Sequence, residues 1–383
     1  MTPPIAKESP SSVAALFAPF TLNGLTLPNR IVMAPMTRNF SPRGVPGADV
    51  AAYYRRRAEG RAGLIITEGT APNYPQAANM PQIPHLYGEE ALAGWARVVS
   101  EVREAGGRIF SQIWHVGAVQ GQSGPPKLPE FPVSPSGMLK PDVKIGEPLT
   151  LAEIDTLVQA YGDAAEAAQR VGFDGIEIHG AHGYLIDQFF WEGTNRRTDQ
   201  YGGDIAGRTR FAVEIIRECR CRTGKHFPIV LRFSQWKLQD YAARLVSTPQ
   251  DLASFLEPLA AAGLDAFHCS TRRFWEPEFE GSDLNLAGWT KKITGMPTIT
   301  VGSVSLTVDF VDSFRGVQDK AALEGTGRTA HISRLVDMLA RGDFDLVAIG
   351  RALLADPAWA AKVRDGQFDE LCAFTPEALK TLA

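Results

Sequence analysis

"FDGIEIHGAHGYLIDQF", residues 173–189, is the stretch on which the reading of the chain turns. It begins as an apolar, β-branched run, "FDGIEIH" (173–179), of the kind a parallel strand buried on both faces requires. The run ends on His179. His182 and Tyr184 follow, then an apolar turn around Leu185, Ile186 and Phe189. Only seven histidines occur in 383 residues, and two of them sit with a phenol at the end of one buried strand.

Seven further runs of the same kind lie on either side: "RIVMAPMT" (30–37), "AGLIITEG" (62–69), "GRIFSQIW" (107–114), "PIVLRFS" (228–234), "LDAFHCS" (264–270), "PTITVGS" (297–303) and "DLVAIGR" (345–351). Helical periodicity separates them. Leu92, Trp95, Val98, Val99 and Val102 form one apolar stripe, stopped by Gly106 and Gly107. Thr150 and Glu153 have capping-box spacing ahead of Ile154, Leu157, Val158 and Tyr161. Thr248 and Pro249 open a helix carrying Leu252, Phe255, Leu256 and Leu259, and Ile332, Leu335, Val336 and Leu339 form the last stripe. Eight strands alternating with helices specify an α/β fold, a (β/α)8 TIM barrel. An open doubly wound sheet is the alternative, weakened because no G-x-G-x-x-G follows any strand. Asn23-Gly24 between two short apolar alternations predicts an N-terminal β-hairpin, placed to plug the barrel floor. Long loops follow the third and sixth strands, and the Pro- and Gly-rich loop from His115 to Pro148 is long enough to suggest function.

Composition bounds the rest. The apolar fraction is 44%, the charged fraction 21% and the net charge −4, so no basic footprint for nucleic acid is present. No apolar run approaches a membrane span. The N-terminal "MTPPIAKESPSS" lacks a signal-peptide core, so the expectation is a cytoplasmic protein of one domain over 1–383, with a flexible segment over 1–15. The four cysteines have neither zinc nor iron–sulfur spacing, and no metal is expected.

In such barrels chemistry sits at the C-terminal ends of the strands. Here those ends carry Pro35 and Thr37, Glu68 and Gly69, Gln112 and Trp114, His179, Arg232, His268 and Ser270, Gly302, and Gly350 with Arg351. Any one of these could satisfy a neighbouring loop. Several at once are costly unless a ligand meets them. The loops after strands seven and eight read "VGSV" and "IGRAL", where glycines admit backbone N–H groups to a phosphate and Arg351 adds charge. The residues alone therefore describe a barrel holding a phosphorylated ligand, faced by Gln112, His179 and Arg232.

At "APMTR" (34–38), "QIWHVG" (112–117), "HGAHGYLIDQF" (179–189), "NRRTDQYGG" (195–203) and "AIGRALLADP" (348–357), the chain resembles the old yellow enzyme family of flavin-dependent ene-reductases. The likeness extends from about Leu16 to about Gln367. It implies FMN as cofactor, NADPH or NADH as reductant, and small activated alkenes as substrates. Position by position, it implies that Pro35, Thr37 and Gly69 contact the flavin ring. Gln112 and Arg232 would bind its pyrimidine edge, and Gly302, Gly350 and Arg351 its phosphate. His179 and His182 would bind the substrate oxygen, and Tyr184 would donate a proton. Trp114, Phe274 and Phe374 are further substrate-side candidates, Phe374 through a loose match to a pocket tyrosine of relatives. The second residue of the histidine pair, Asn in many members, is His182 here, as in pentaerythritol tetranitrate reductase. The resemblance leaves open a monomer or a homodimer. It competes with another FMN-dependent barrel oxidoreductase, such as a 2-hydroxy-acid oxidase, and with a flavin- or ligand-binding barrel without catalysis.

Overall fold

The computed structural model describes residues 12–121, 129–306, 329 and 331–383. Eight parallel strands close into a barrel: β1 (Ile31–Met33), β2 (Leu64–Thr70), β3 (Ile109–Ile113), β4 (Gly175–His182), β5 (Ile229–Lys237), β6 (Ala266–Ser270), β7 (Thr298–Val301) and β8 (Leu346–Ile349). Each strand pairs with its chain neighbours, and β8 pairs with β1. The strands sit where their apolar runs placed them. Around them lie α1 (Ala48–Glu59), α2 (Glu89–Glu104), α3 (Leu151–Val171), α4 (Ile205–Thr223), α5 (Pro249–Ala261), α6 (Leu286–Thr294) and α7 (Ile332–Ala340). The capping box at the start of α3 forms in both directions between Thr150 and Glu153. Thr248 caps α5, with Pro249 at its first position, where a missing N–H costs nothing. No described helix is long and apolar enough to cross a membrane.

The barrel interior is a separate apolar core. Val32, Leu64, Ile66, Phe110, Val230, Ala266, Ile299 and Leu346 fill it from seven of the eight strands, all but β4. Leu22 and Leu27, from the hairpin Phe20–Leu22/Leu25–Leu27, belong to the same cluster. Asn23 and Gly24 both have positive φ, 45° and 81°, as a two-residue primed turn needs. The hairpin therefore closes the floor, and the open end is the one where the strands finish.

Three expectations need correction. β4 and β5 do not stop at His179 and Ser234 but run on to His182 and Lys237, which pair across a register shift after Gly180. The polar residues there looked like loop, but a buried ion pair described below satisfies them. The segment expected to be flexible over 1–15 lies outside the described residues for 1–11. Val13–Phe17 forms a 3-10 turn because Leu16 is fully buried and its carbonyl accepts from Arg30 N–H at 2.9 Å. Finally, the loop after β3 contains a small antiparallel pair, Met138–Lys140 with Val143–Lys144, stabilised where Ser134 Oγ accepts from Met138 N–H at 2.7 Å.

The hairpin's part in the core has a measurable consequence. Leu27 is fully buried, so Leu27→Ala should cost about 2–5 kcal/mol of unfolding free energy in urea titration. An unchanged midpoint would remove the hairpin from the barrel core.

Candidate active site

Strand register brings the polar strand ends together. Gln112 on β3 is level with Glu177 on β4, and His179 on β4, Arg232 on β5 and His268 on β6 share the next level. All five are buried. The Glu177 carboxyl accepts from Gln112 Nε2 at 2.8 Å and bonds His268 Nδ1 at 2.6 Å. That bond engages one of the two N–H donors of the Gln112 amide and fixes the amide's orientation. Burial pulls the Arg232 guanidinium below its ordinary value, and the charge of Glu177 opposes that shift.

The same strand end carries the rest of the quoted stretch. The His179 and His182 rings lie perpendicular, with centroids 5.1 Å apart, and Tyr184 meets His179 edge-on, also at 5.1 Å. Trp114 stands edge-on to Tyr184 at 5.0 Å. A Cβ at Gly69 would fall 2.4 Å from the Trp114 ring, so only glycine there lets the indole lie across the end of β2. His179 Nδ1 accepts from Ala181 N–H at 3.2 Å, which puts the proton of a neutral ring on Nε2. Burial, then the charge of Arg232, hold both histidines well below their ordinary value. Burial pushes the Tyr184 phenol up. The site thus offers neutral donors at neutral pH.

Several supporting residues escaped the sequence reading. Asp187 and Lys237 form a fully buried ion pair at 2.5 Å, and Asp187 also accepts from Gly183 N–H at 2.6 Å. This pair ties the histidine loop to the extended end of β5. Trp236 stacks on His182 at 4.5 Å and on Tyr241 at 5.7 Å, walling the far side. Asp187 lay inside the quoted stretch, but its partner is fifty residues away in a segment that reads as polar loop. Glu68 Oε2 accepts from Arg38 N–H at 2.8 Å and Asn39 N–H at 2.9 Å, which fixes the turn carrying Pro35 and Thr37. Thr37 itself is exposed at the barrel mouth.

The phosphate candidates also meet. Arg351 Nη2 lies 3.4 Å from Ser303 Oγ, next to Gly302. Gly302 has φ +152°, and a Cβ there would lie 2.9 Å from the Phe274 nitrogen and the Thr271 oxygen. Gly350 joins β8 to Arg351. Two substrate-side candidates lie elsewhere. Phe274 is fully buried in the outer core, edge-on to Trp275 at 5.2 Å. Phe374 lies by the Arg351 guanidinium, 5.9 Å from ring centre to charge. Its neighbourhood is the phosphate loop. Among the described residues no cluster of three metal-ligating side chains occurs.

These residues suit a flavin mononucleotide. Arg232 Nε is buried with no partner, an orphan donor that costs free energy unless a ligand acceptor meets it. Anionic and carbonyl oxygens of a flavin pyrimidine match it, and glycine backbone with Arg351 matches a phosphate. Barrel and site together define a flavin-binding (β/α)8 oxidoreductase.

Comparison with known proteins gives the family. The profile of the NADH:flavin oxidoreductase / NADH oxidase family matches residues 15–370. NADH oxidase of Thermoanaerobacter brockii is 35% identical over 370 residues, covering 93% of this chain and 52% of that protein. This chain therefore spans about half the length of that relative. 12-Oxophytodienoate reductase 7 of Oryza sativa subsp. japonica is 32% identical over 364 residues, 92% of this chain and 88% of that one. Among solved structures, morphinone reductase in complex with tetrahydroNAD superposes with a TM-score of 0.77 at 29% identity, over 95% of this chain and 94% of its own. The old yellow enzyme homologue from Zymomonas mobilis gives 0.74 at 25% identity, over 96% and 99%. The chain belongs to the NADH:flavin oxidoreductase / NADH oxidase family, among the old yellow enzyme homologues, an FMN- and NAD(P)H-dependent group.

Burial raises the Glu68 carboxyl to about 7 against its two N–H donors. The folded state then holds that proton more tightly than the unfolded chain. Its contribution is full below about pH 4.5 and lost as pH rises through about 7, on the order of 3 kcal/mol in all. Glu68→Gln keeps an acceptor for Arg38 N–H and removes the titration. Urea midpoints at about pH 5 and about pH 8 should differ less in the variant than in the parent. An equal pH dependence in both proteins would contradict the assignment.

Proposed function

We propose that this chain is an FMN-dependent ene-reductase that takes a hydride from NADPH or NADH and passes it to the β-carbon of an activated alkene: an enone, an enal or a nitroalkene. The observation that carries this reading is the pairing of His179, whose Nε2 bears the proton, with the protonated phenol of Tyr184, ring centres 5.1 Å apart, at the strand ends that also carry Arg232 and Gln112. Bound FMN would accept a hydride from the nicotinamide and release it to the alkene. Gln112 and Arg232 would hold its pyrimidine edge. Pro35, Thr37 and Gly69 would line the ring, and Gly302, Gly350 and Arg351 would hold the phosphate.

The protein's own contribution is electrostatic and steric. Hydride addition at a β-carbon drives charge onto the carbonyl or nitro oxygen. Two neutral imidazole donors, His179 and His182, stabilise that charge in a site where water competes poorly. Neutral donors suit both oxidation states of the substrate, since they leave no buried cation when the product departs. Tyr184 retains its proton through the neutral range because burial raises it, so it can protonate the α-carbon. Trp114 packs against the Tyr184 ring and limits where the phenol can point.

Tyr184→Phe separates the steps. It keeps the ring and its contact with Trp114, so flavin reduction by NADPH should survive. Enone reduction should slow by roughly 10²–10⁴-fold. Nitroalkene reduction should lose less at the hydride step, because the nitronate persists without immediate protonation. Stopped-flow measurement of both half-reactions checks this. A variant that reduces cyclohexenone at the parent rate would assign the proton to water and leave Tyr184 a role in shape alone.

A further inference from the structure

Ser270, the last residue of β6, sits between two functional side chains. Its Oγ lies 3.1 Å from Arg232 Nη2 and 2.8 Å from His182 Nε2, and the residue is 2% exposed. Among the described residues these are the hydrogen bonds its hydroxyl makes. A guanidinium carries only donors, so Ser270 Oγ must accept from Arg232. The hydroxyl of this buried residue then has one proton to place. A buried O–H without an acceptor is costly, and the acceptor within reach is His182 Nε2.

We infer that Ser270 is a positioning residue: it donates its proton to His182 Nε2 and thereby keeps the His182 proton on Nδ1, the nitrogen left to meet a substrate oxygen. The value of that outcome, though not the tautomer itself, rests on the substrate-oxygen role proposed above. The opposite arrangement, with Nε2–H donating to Ser270, would leave Nδ1 an acceptor and turn His182 against an oxyanion. Two other contacts hold the ring for this purpose. Trp236 stacks on it at 4.5 Å with planes 27° apart, and the backbone N–H of His182, which anchors the residue, donates to Ser234 Oγ at 2.9 Å. His179 is set the other way, since its Nδ1 accepts from Ala181 N–H. The pair therefore offers opposite nitrogens from rings 85° apart, which lets two donors address one oxygen without sharing one plane.

Ser270 also joins the two halves of the site. In the proposed reaction Arg232 would meet the flavin and His182 the substrate, and one hydroxyl connects them. The direction of the chain of bonds, Arg232 to Ser270 to His182, is fixed at its cationic end.

Long-range proton–nitrogen correlation spectra of the FMN-loaded enzyme, labelled with nitrogen-15 in histidine only, read the tautomers directly. The His182 resonances are assigned from the spectrum of His182→Asn. The expected pattern is Nδ1–H for His182 and Nε2–H for His179. Ser270→Ala should move His182 towards Nε2–H and weaken 4-hydroxybenzaldehyde binding, read from its charge-transfer band, by about tenfold, the loss of one neutral hydrogen bond. Ser270→Thr, which keeps the hydroxyl, should restore both. An Nε2–H tautomer of His182 in the parent enzyme overturns the inference, as does an Nδ1–H tautomer that persists in Ser270→Ala. Phenol binding that survives both His179→Ala and His182→Ala overturns the substrate-oxygen reading instead, and the tautomer pattern still decides the role of Ser270.

Discussion

A carboxyl group inside a barrel has no water to fall back on, and the upper half of this barrel is built to meet one. Glu177 sits buried in the middle of β4, in register with Gln112 on one side and Val230 on the other, above the Phe110–Gly175 pair. Gln112 on β3 and His268 on β6 supply the hydrogen bonds, and Arg232 on the intervening β5 supplies the opposing charge. Each of those partners is thereby oriented. The Gln112 amide loses its rotational choice, His268 loses its choice of tautomer, and Arg232 is held in place long enough to bind Ser270. The donors that face a ligand are the remaining ends of groups whose other ends are already committed, which is how a site is preorganised without loops having to close on it.

The same logic extends outward. Asp187 and Lys237 are a second buried pair, with no exposure of either side chain. A pair of this kind contributes little net stability against an apolar replacement, but breaking one partner is costly. Its evident effect here is geometric: it lengthens β4 and β5 beyond the other strands and fixes the turn between His182 and Leu185. Glu68 does for the β1 loop what Asp187 does for the β4 loop, meeting backbone N–H groups of the residues after Thr37. Both carboxyls are raised by burial. The site is thus framed by acids that carry no chemistry in the proposed reaction and that hold the residues that do.

The barrel was legible because its signal is local. Eight apolar runs, the Asn23-Gly24 turn and the Thr150–Glu153 cap each depend on a few adjacent residues, and each formed where it was expected. Site residues at strand ends were legible for a related reason, since fold class fixes which end of a strand faces the ligand. What stayed hidden depends on pairing across long intervals. Lys237 sits in "SQWKLQDY", which has no strand pattern, and only the carboxyl of Asp187 makes its burial tolerable. Trp236 and Tyr241 belong to that same unread segment. Phe374 was matched by position to a pocket residue, but its ring is drawn to the Arg351 charge. For Phe274 a place beside the pocket and a place in the core were equally open from the sequence, and its ring is fully buried in the outer core.

The proposed reaction requires the upper barrel to hold FMN beside Arg232 and the histidine pair and to pass hydride through it. Anaerobic titration of the purified protein tests this most directly, followed by visible absorption. The account predicts a yellow protein with one non-covalent flavin per chain, bleached by NADPH or NADH and restored to full colour by cyclohexenone in the absence of oxygen. A colourless protein that does not take up FMN, or a yellow one that no nicotinamide bleaches, would contradict it.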